Sequence, residues 1–350
     1  MLRSESMRWV AAVLGLVLAT AGLNGQARSR DGFTGRQIYE AACAACHGSD
    51  GQGQPESVRG FDLELPDFTD CSLTTPEADL DWQSVVHQGG PVRAFDRMMP
   101  AFGDELSRDE IALVVAHVRT FCRERGWPAG DLNLPRPLIT EKAYPENEAV
   151  LTATMSRDSA RPVSMVALYE HRVGRRGQYE IAVQDLDEVA GAYKHVLFDS
   201  LRRGSILAGG AEVKANEHGA VFEAFGAFSQ TLPYVRDGFL HAHAGLEAPT
   251  AASEANEVFG RLAIGKSVME HTWGRAWSPM VELLAARPLG TGASAEIDLL
   301  PQMQVSLSTR QHVLLNAGVR VPLTQRAERR PSVLAYLLWD WFDGGFFSGW

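Results

Sequence analysis

The chain of 350 residues has four cysteines, and only two of them lie close together. That excludes a zinc ribbon, which needs two close pairs. No apolar run reaches the ~20 residues that a comfortable helical span needs. The lack says nothing against strands, because only half of a barrel's strand residues face lipid. Positive charge is scarce as well. Lys and Arg number 33 against 43 Asp and Glu, for a net charge of −10 and a pI near 5.5, which argues against a nucleic-acid partner. The glycine-rich loop His47 to Pro55 does not end in Gly-Lys-Ser/Thr, so it is no phosphate cradle. No nucleophile–base arrangement stands out, and no residue is assigned as catalytic.

The close pair is Cys43-Ala44-Ala45-Cys46, followed at once by His47. Cys-x-x-Cys-His is the attachment signature of c-type haem. Two intervening residues set the thiols one short turn apart, matched to two vinyl groups on one porphyrin edge. The next residue can then offer an imidazole nitrogen to the iron. A thioredoxin-like pair would need a βαβ setting and no obligatory histidine. A second axial ligand is expected downstream, in Met98-Met99-Pro100-Ala101-Phe102-Gly103. A thioether in the sixth position raises the potential and closes the iron to oxygen. Met99, held beside the rigid Pro100, is the expected ligand, with Met98 as the alternative. The expected cofactor is thus one covalent haem c on Cys43, Cys46, His47 and Met99.

These motifs, in this order, resemble a class I c-type cytochrome over residues 35–121. The pattern is Gly35-x-x-Ile38-Tyr39-x-x-x-Cys43-x-x-Cys46-His47-Gly48, then Met-Pro-x-Phe, then a helix opening at Leu106-Ser107. The resemblance implies an all-helical fold around one haem and one-electron transfer. Two departures stand out. Ala116-His117-Val118 lies where the family often has an aromatic, and Pro66 to Cys71 replaces the usual inter-helix loop, with Pro66 placed to line the His47 side.

Local patterns fill in the rest of this region. Residues 1–27 read as a signal peptide: Arg3 and Arg8, an apolar stretch from Trp9 to Ala19, then Gly25-Gln26-Ala27. Thr34 is a cap candidate for a helix from Gly35 to Ala45. Asp79 to His87 reads as a short helix stopped by Gly89-Gly90-Pro91. Ser107 with Glu110 forms a capping box, and Ile111, Val114, Val115 and Val118 form a buried stripe. Cys71 and Cys122 either form a disulfide, which export would permit, or are two buried thiols. The expected domains are 31–126 for the cytochrome, 127–148 for a Pro-rich linker, and 149–350 for the remainder.

Near residue 149 the helical period gives way to alternation. Segments of about ten residues alternate in polarity between turn residues. In Glu296 to Leu307, Ile297, Leu299, Met303, Val305 and Leu307 lie on one face, with Glu296, Asp298, Gln302, Gln304 and Ser306 on the other. Val313, Leu315, Ala317, Val319 and Val321 repeat the pattern after the hairpin Ser308-Thr309-Arg310. About twelve such segments are expected, starting near residues 149, 162, 177, 190, 204, 219, 237, 255, 276, 294, 310 and 332. An even number fits a transmembrane barrel. A soluble barrel would want a packed apolar interior, whereas the inner face here carries Glu212, Lys214, Glu296 and Asp298. In a membrane barrel these would face a wet lumen. The aromatic last strand, and Trp350 at the end, point the same way. His241 and His243 share one face, and read as polar lumen residues sooner than as a metal pair.

The segments Arg175-Arg176-Gly177-Gln178-Tyr179-Glu180, Trp277-Ser278-Pro279-Met280-Val281-Glu282 and Leu338-Trp339-Asp340-Trp341-Phe342 resemble outer-membrane barrels of the MetA-pathway or transporter-like kind. The resulting expectation is a multidomain protein, with an all-α cytochrome domain followed by an antiparallel transmembrane β-barrel. It would carry electrons at the periplasmic face of the outer membrane, with lipid and an unidentified periplasmic redox protein as partners. The alternatives are a conduit, resembling the fused cytochrome–porins of iron-oxidising bacteria, or a solute transporter with an accessory haem domain.

Overall fold

The computed structural model describes residues 32–156, 162–251, 253–270, 274–290 and 292–341. The signal-peptide reading, Phe342 and Trp350 lie outside them.

The helical region opens with α1 (Gly35–Ala42), capped by Thr34 in a reciprocal box with Gln37. It continues through α2 (Ala44–His47), α3 (Glu56–Arg59), α4 (Cys71–Thr74), α5 (Asp79–Gln88) and α6 (Arg108–Val118). Ser107 and Glu110 form the expected box at the start of α6. Ile111, Val114, Val115 and Val118 are buried, and Val114 and Val118 pack with Ile38, Tyr39 and Phe68. The crossing of α1 and α6 depends on Gly35, where a Cβ would lie 2.0 Å from the Leu113 carbonyl oxygen. No side chain fits at that separation. Cys71 and Cys122 form a disulfide, which resolves the alternative left open by the sequence.

Twelve strands form the rest: β1 (Glu148–Ser156), β2 (Val163–Val173), β3 (Gly177–Gln184), β4 (Glu188–Ser200), β5 (Ser205–Asn216), β6 (Gly219–Thr231), β7 (Gly238–Pro249), β8 (Glu257–Lys266), β9 (Ala276–Pro288), β10 (Glu296–Ser306), β11 (Val313–Pro322) and β12 (Ser332–Asp340). A two-residue bridge, Val268–Met269, extends the turn between β8 and β9. Each strand begins within three residues of its expected start. Consecutive strands pair antiparallel, and β1 pairs with β12, so the sheet closes without an edge.

The polarity is inside out. Leu151, Ile181, Leu197, Phe222, Ile264 and Leu337 point outward and are 46–64% exposed. Lys194, Glu170, His241, Glu282 and Asp298 are buried inside. A soluble protein does not leave so continuous an apolar belt in water. Lipid is the solvent that accommodates it, so this is a transmembrane barrel of outer-membrane type.

The Pro-rich stretch 127–148 joins the two regions. It runs irregularly through the lumen, with Pro137, Thr140 and every residue from Lys142 to Glu146 buried. The strap meets the inner wall at Glu170, Lys194 and Glu282, whereas the inner charges read from the sequence pair across the wall itself, Lys214 with Glu212, Glu223 and Glu247, and Asp298 with Arg320 and Arg329.

Candidate functional site

Cys43 closes α1 and opens α2, so Cys43, Cys46 and His47 share one tight turn. The amides of Cys46 and His47 both donate to the Cys43 carbonyl, at 3.1 and 2.9 Å. With Cys71 and Cys122 joined to each other, Cys43 and Cys46 are the two free thiols, and both are partly exposed. The Tyr39 hydroxyl donates to the Gly48 carbonyl at 2.7 Å and fixes the start of the following loop. Burial raises the Tyr39 pKa, which keeps that donor protonated.

The His47 ring stacks on Phe68, with centroids 4.8 Å apart and planes 21° apart. Phe68 leans in turn on Trp82 of α5 at 5.5 Å. Burial lowers the His47 pKa, so at pH 7 the ring is neutral and has a lone pair to offer. Its Nδ1 is buried without a hydrogen-bond partner. Two adjacent free thiols, a neutral imidazole and an aromatic wall fit a covalently attached haem. Pro66, expected to line the His47 side of the haem, is exposed, and Phe68 is the side chain that stacks on the His47 ring. The signal that could have found it is the buried aromatic two residues further on. His117 fills the expected aromatic position by packing edge-on against Tyr39 at 5.3 Å and Phe121 at 5.2 Å.

Met99 lies on a separate loop, tied to the end of α5. The Gly90 amide donates to the Met99 carbonyl at 2.9 Å, and the Phe102 amide donates to Val86 at 2.9 Å. Gly89, at φ +82°, makes room for this approach, because a Cβ there would meet the Met99 oxygen at 3.0 Å. Met98 is 48% exposed, whereas Met99 is half-buried. His47 and Met99 thus belong to different elements, related through Phe68, Trp82 and α5.

The helical region sits at the barrel end where the chain enters β1 and leaves β12. His312, in the turn before β11, meets Glu77 at 2.9 Å and Asp340 at 3.3 Å. The Arg310 guanidinium donates to the Arg93 carbonyl at 3.1 Å and the Ala94 carbonyl at 3.2 Å, and lies 4.1 Å from the Phe95 ring. Across the mouth, Arg175 donates to the Arg125 carbonyl at 2.7 Å and pairs with Glu124 at 3.2 Å.

Inside the lumen the strap is bound by backbone as much as by charge. Glu282 accepts the amides of Leu138, Ile139 and Thr140 at 3.0, 3.1 and 2.6 Å. Tyr336 donates to the Arg136 carbonyl at 2.7 Å. His241 bridges Ser229 at 2.8 Å and the Pro135 carbonyl at 3.0 Å, so it anchors the strap, and its neighbour His243 meets Arg261 instead. Arg136 pairs with Glu148 and, at 2.7 Å, with Glu170. Glu141, Glu170 and Glu180 approach within 4.8 Å of one another, and Arg136 and Lys194 among them supply counter-charge. Gly318 leaves room for Leu138, whose Cδ1 would be 2.8 Å from a Cβ at that position.

Residues 31–118 match the family model described as "Cytochrome C oxidase, cbb3-type, subunit III". No curated protein matches the chain. Among solved structures, the barrel is similar to a KdgM porin at 9% identity and TM-score 0.40, covering 55% of this chain and 99% of that one. A NanC porin gives 5% identity and TM-score 0.41, covering 55% and 98%. LpxR from Salmonella typhimurium gives 5% and 0.36, covering 55% and 100%. The membrane assignment rests on this chain's own closed strand order and apolar belt. Residues 31–118 are a c-type cytochrome domain, joined in one chain to a twelve-stranded β-barrel of outer-membrane type.

Proposed function

We propose that the protein is a monohaem electron carrier, anchored by its barrel so that the cytochrome domain stands at the periplasmic face of the outer membrane. Cys43 and Cys46 would hold the haem through thioethers, and His47 and Met99 would ligate the iron. When bound, the haem supplies a one-electron ferric–ferrous couple. The chain's own residues do the rest. Phe68 orients the His47 ring, the Gly89 and Gly90 contacts hold the methionine loop, and a closed Met/His site keeps substrates off the iron. One haem follows from the cysteine count, since a single Cys-x-x-Cys-His is present and the other two cysteines are paired.

The observation that carries this reading is the strap inside the lumen. The strap from Asn133 to Asn147 occupies the space a solute would use, and its backbone is bound to the wall at Glu282, Tyr336 and His241. That favours an anchor over a transporter. Both barrel ends of the chain and the cytochrome contacts share one mouth, and this proposal sets that mouth on the periplasmic side.

The test is an optical spectrum of the outer-membrane fraction from cells that mature c-type haem. A low-spin spectrum is expected, with a weak thioether-to-iron band at about 695 nm that Met99→Ala removes and Met98→Ala leaves in place. A high-spin, ligand-binding haem in the wild-type protein would overturn the carrier reading.

A further inference from the structure

The cytochrome region is acidic in an uneven way. Residues 31–126 hold seventeen carboxylates, eight arginines and no lysine. Several of the arginines are already engaged away from the haem loop. Arg93 pairs with Asp81 at 2.8 Å and Arg119 with Asp79 at 2.9 Å, both on α5, while Arg36 pairs with Glu40 on α1. The segment 50–70, which leaves the Cys-x-x-Cys-His turn and returns to Phe68, carries six carboxylates and one arginine. Its arginine, Arg59, is turned inward, donating to the Phe61 carbonyl at 3.0 Å and the Gln54 carbonyl at 3.1 Å.

This loop is held against the attachment turn. The Gly53 amide donates to the His47 carbonyl at 2.9 Å, the Gln54 amide to the Cys46 carbonyl at 2.8 Å, and the Phe68 amide to the Gly51 carbonyl at 2.8 Å. Glu56, Asp62 and Glu64 are exposed on it and have no cationic partner among the described residues. Val58, between them, is an aliphatic side chain 64% exposed. An exposed apolar side chain on a loop whose unpaired charges share one sign suits a transient protein interface, and unpaired charge of one sign steers diffusional encounter. Its place beside Cys46 and His47 puts it where an electron would enter or leave.

We propose that the loop 50–70 is the docking surface for a cationic redox protein, one that presents lysines or arginines around its own cofactor with Val58 as the apolar contact. The inference rests on the carrier reading and names the partner's chemistry. The step is one electron between the partner's cofactor and the haem iron, with the partner oxidised when ferric iron becomes ferrous and reduced in the reverse direction. No bond forms or breaks.

The full-length holoprotein in detergent micelles is mixed in a stopped-flow instrument with a lysine-rich mitochondrial-type cytochrome c, or with an acidic flavodoxin, at low and high salt. The cationic probe should exchange electrons at least about 10-fold faster at low salt than at ~0.5 M, where charge is screened, and faster than the anionic probe. The double variant Asp62→Lys/Glu64→Lys should remove about 10-fold of that rate and reverse its salt dependence, with its spectrum and its rate with a neutral small mediator unchanged. Val58→Asp should slow the cationic probe less and keep the salt slope. A double variant that matches the wild type, or a preference for the anionic probe, would overturn the docking surface while leaving the carrier reading in place. Failure of the holoprotein to exchange electrons with any probe or mediator would defeat the carrier reading itself.

Discussion

The two halves of this molecule bury opposite things. In the helical domain Ile111, Val114 and Val118 turn apolar carbon inward, and carboxylates such as Asp62 and Glu64 face water. In the barrel Lys194, Glu170 and Glu282 turn inward, and Leu197 and Phe222 face outward. The rule is the same in both, since apolar surface is matched to an apolar neighbour. Only the neighbour differs, being another helix in one case and lipid in the other. The barrel therefore has to solve a problem that the helical domain avoids, which is what to do with an interior full of polar groups. Its answer is a strap from its own chain along one part of the wall, and ion pairs across the wall, such as Lys214 with Glu223 and Glu247, along another.

The comparison can be broken most completely at the haem. His47→Ala, or loss of Cys43 and Cys46 together, should abolish attached haem while the barrel still folds into membranes. Haem staining alongside heat-modifiable gel migration would register both halves separately, and loss of the barrel as well would show the domains to be folded as one unit. Next in size is Glu282→Ala. It leaves the Ile139 and Thr140 amides without an acceptor, while the Leu138 amide keeps Gln302 at 3.0 Å, and at about 1–3 kcal/mol for an unsatisfied buried group the strap should loosen by a few kcal/mol. Planar-bilayer recording should then show conductance that the wild type lacks, whereas silent channels would mean that the strap is held from elsewhere.

Gly35→Val tests the opposite half. Its Cβ has no space beside Leu113, and overpacking of about 1–3 kcal/mol or more should lower the melting temperature of the helical domain alone. Unchanged thermal melting would show that α1 and α6 can separate without cost. The seam between the halves should depend on pH. Burial works against the Glu77 carboxylate, but His312, Arg119 and Arg93 hold its pKa below the ordinary value. A carboxylate depressed in the folded state contributes stability above its unfolded pKa, ~4.3, and loses it as pH falls through the lower folded value. Docking should be intact at neutral pH and weaken below about pH 4, as read by protease access to the domain junction. The smallest effect is expected for Thr34→Ala, about 1 kcal/mol of helical-domain stability from a lost cap, measured by denaturant titration.

Much of this was legible in the chain. The Cys43-to-His47 motif, the caps at Thr34 and Ser107, and the alternation from about residue 149 onward are local patterns with a short period, and local patterns survive in a sequence. The wall of the haem site was less so. Phe68 reaches His47 through a loop whose shape depends on amides bound 17 residues apart, as in Phe68 to Gly51.

By itself, then, the sequence determined a haem-attachment turn, a helical domain and an even-stranded barrel with charge on its inner face. Periodicity and motif spacing are enough for those, because each is set by neighbours a few residues away. Tertiary structure alone decided that four prolines between Trp127 and Pro145 lead into the barrel lumen, and that the inner charges meet protein. The strap has no regular period to read, and its partners, such as Glu282 for Thr140 and Tyr336 for Arg136, stand 142 and 200 residues away. Only closure of the sheet brings them within reach of the strap.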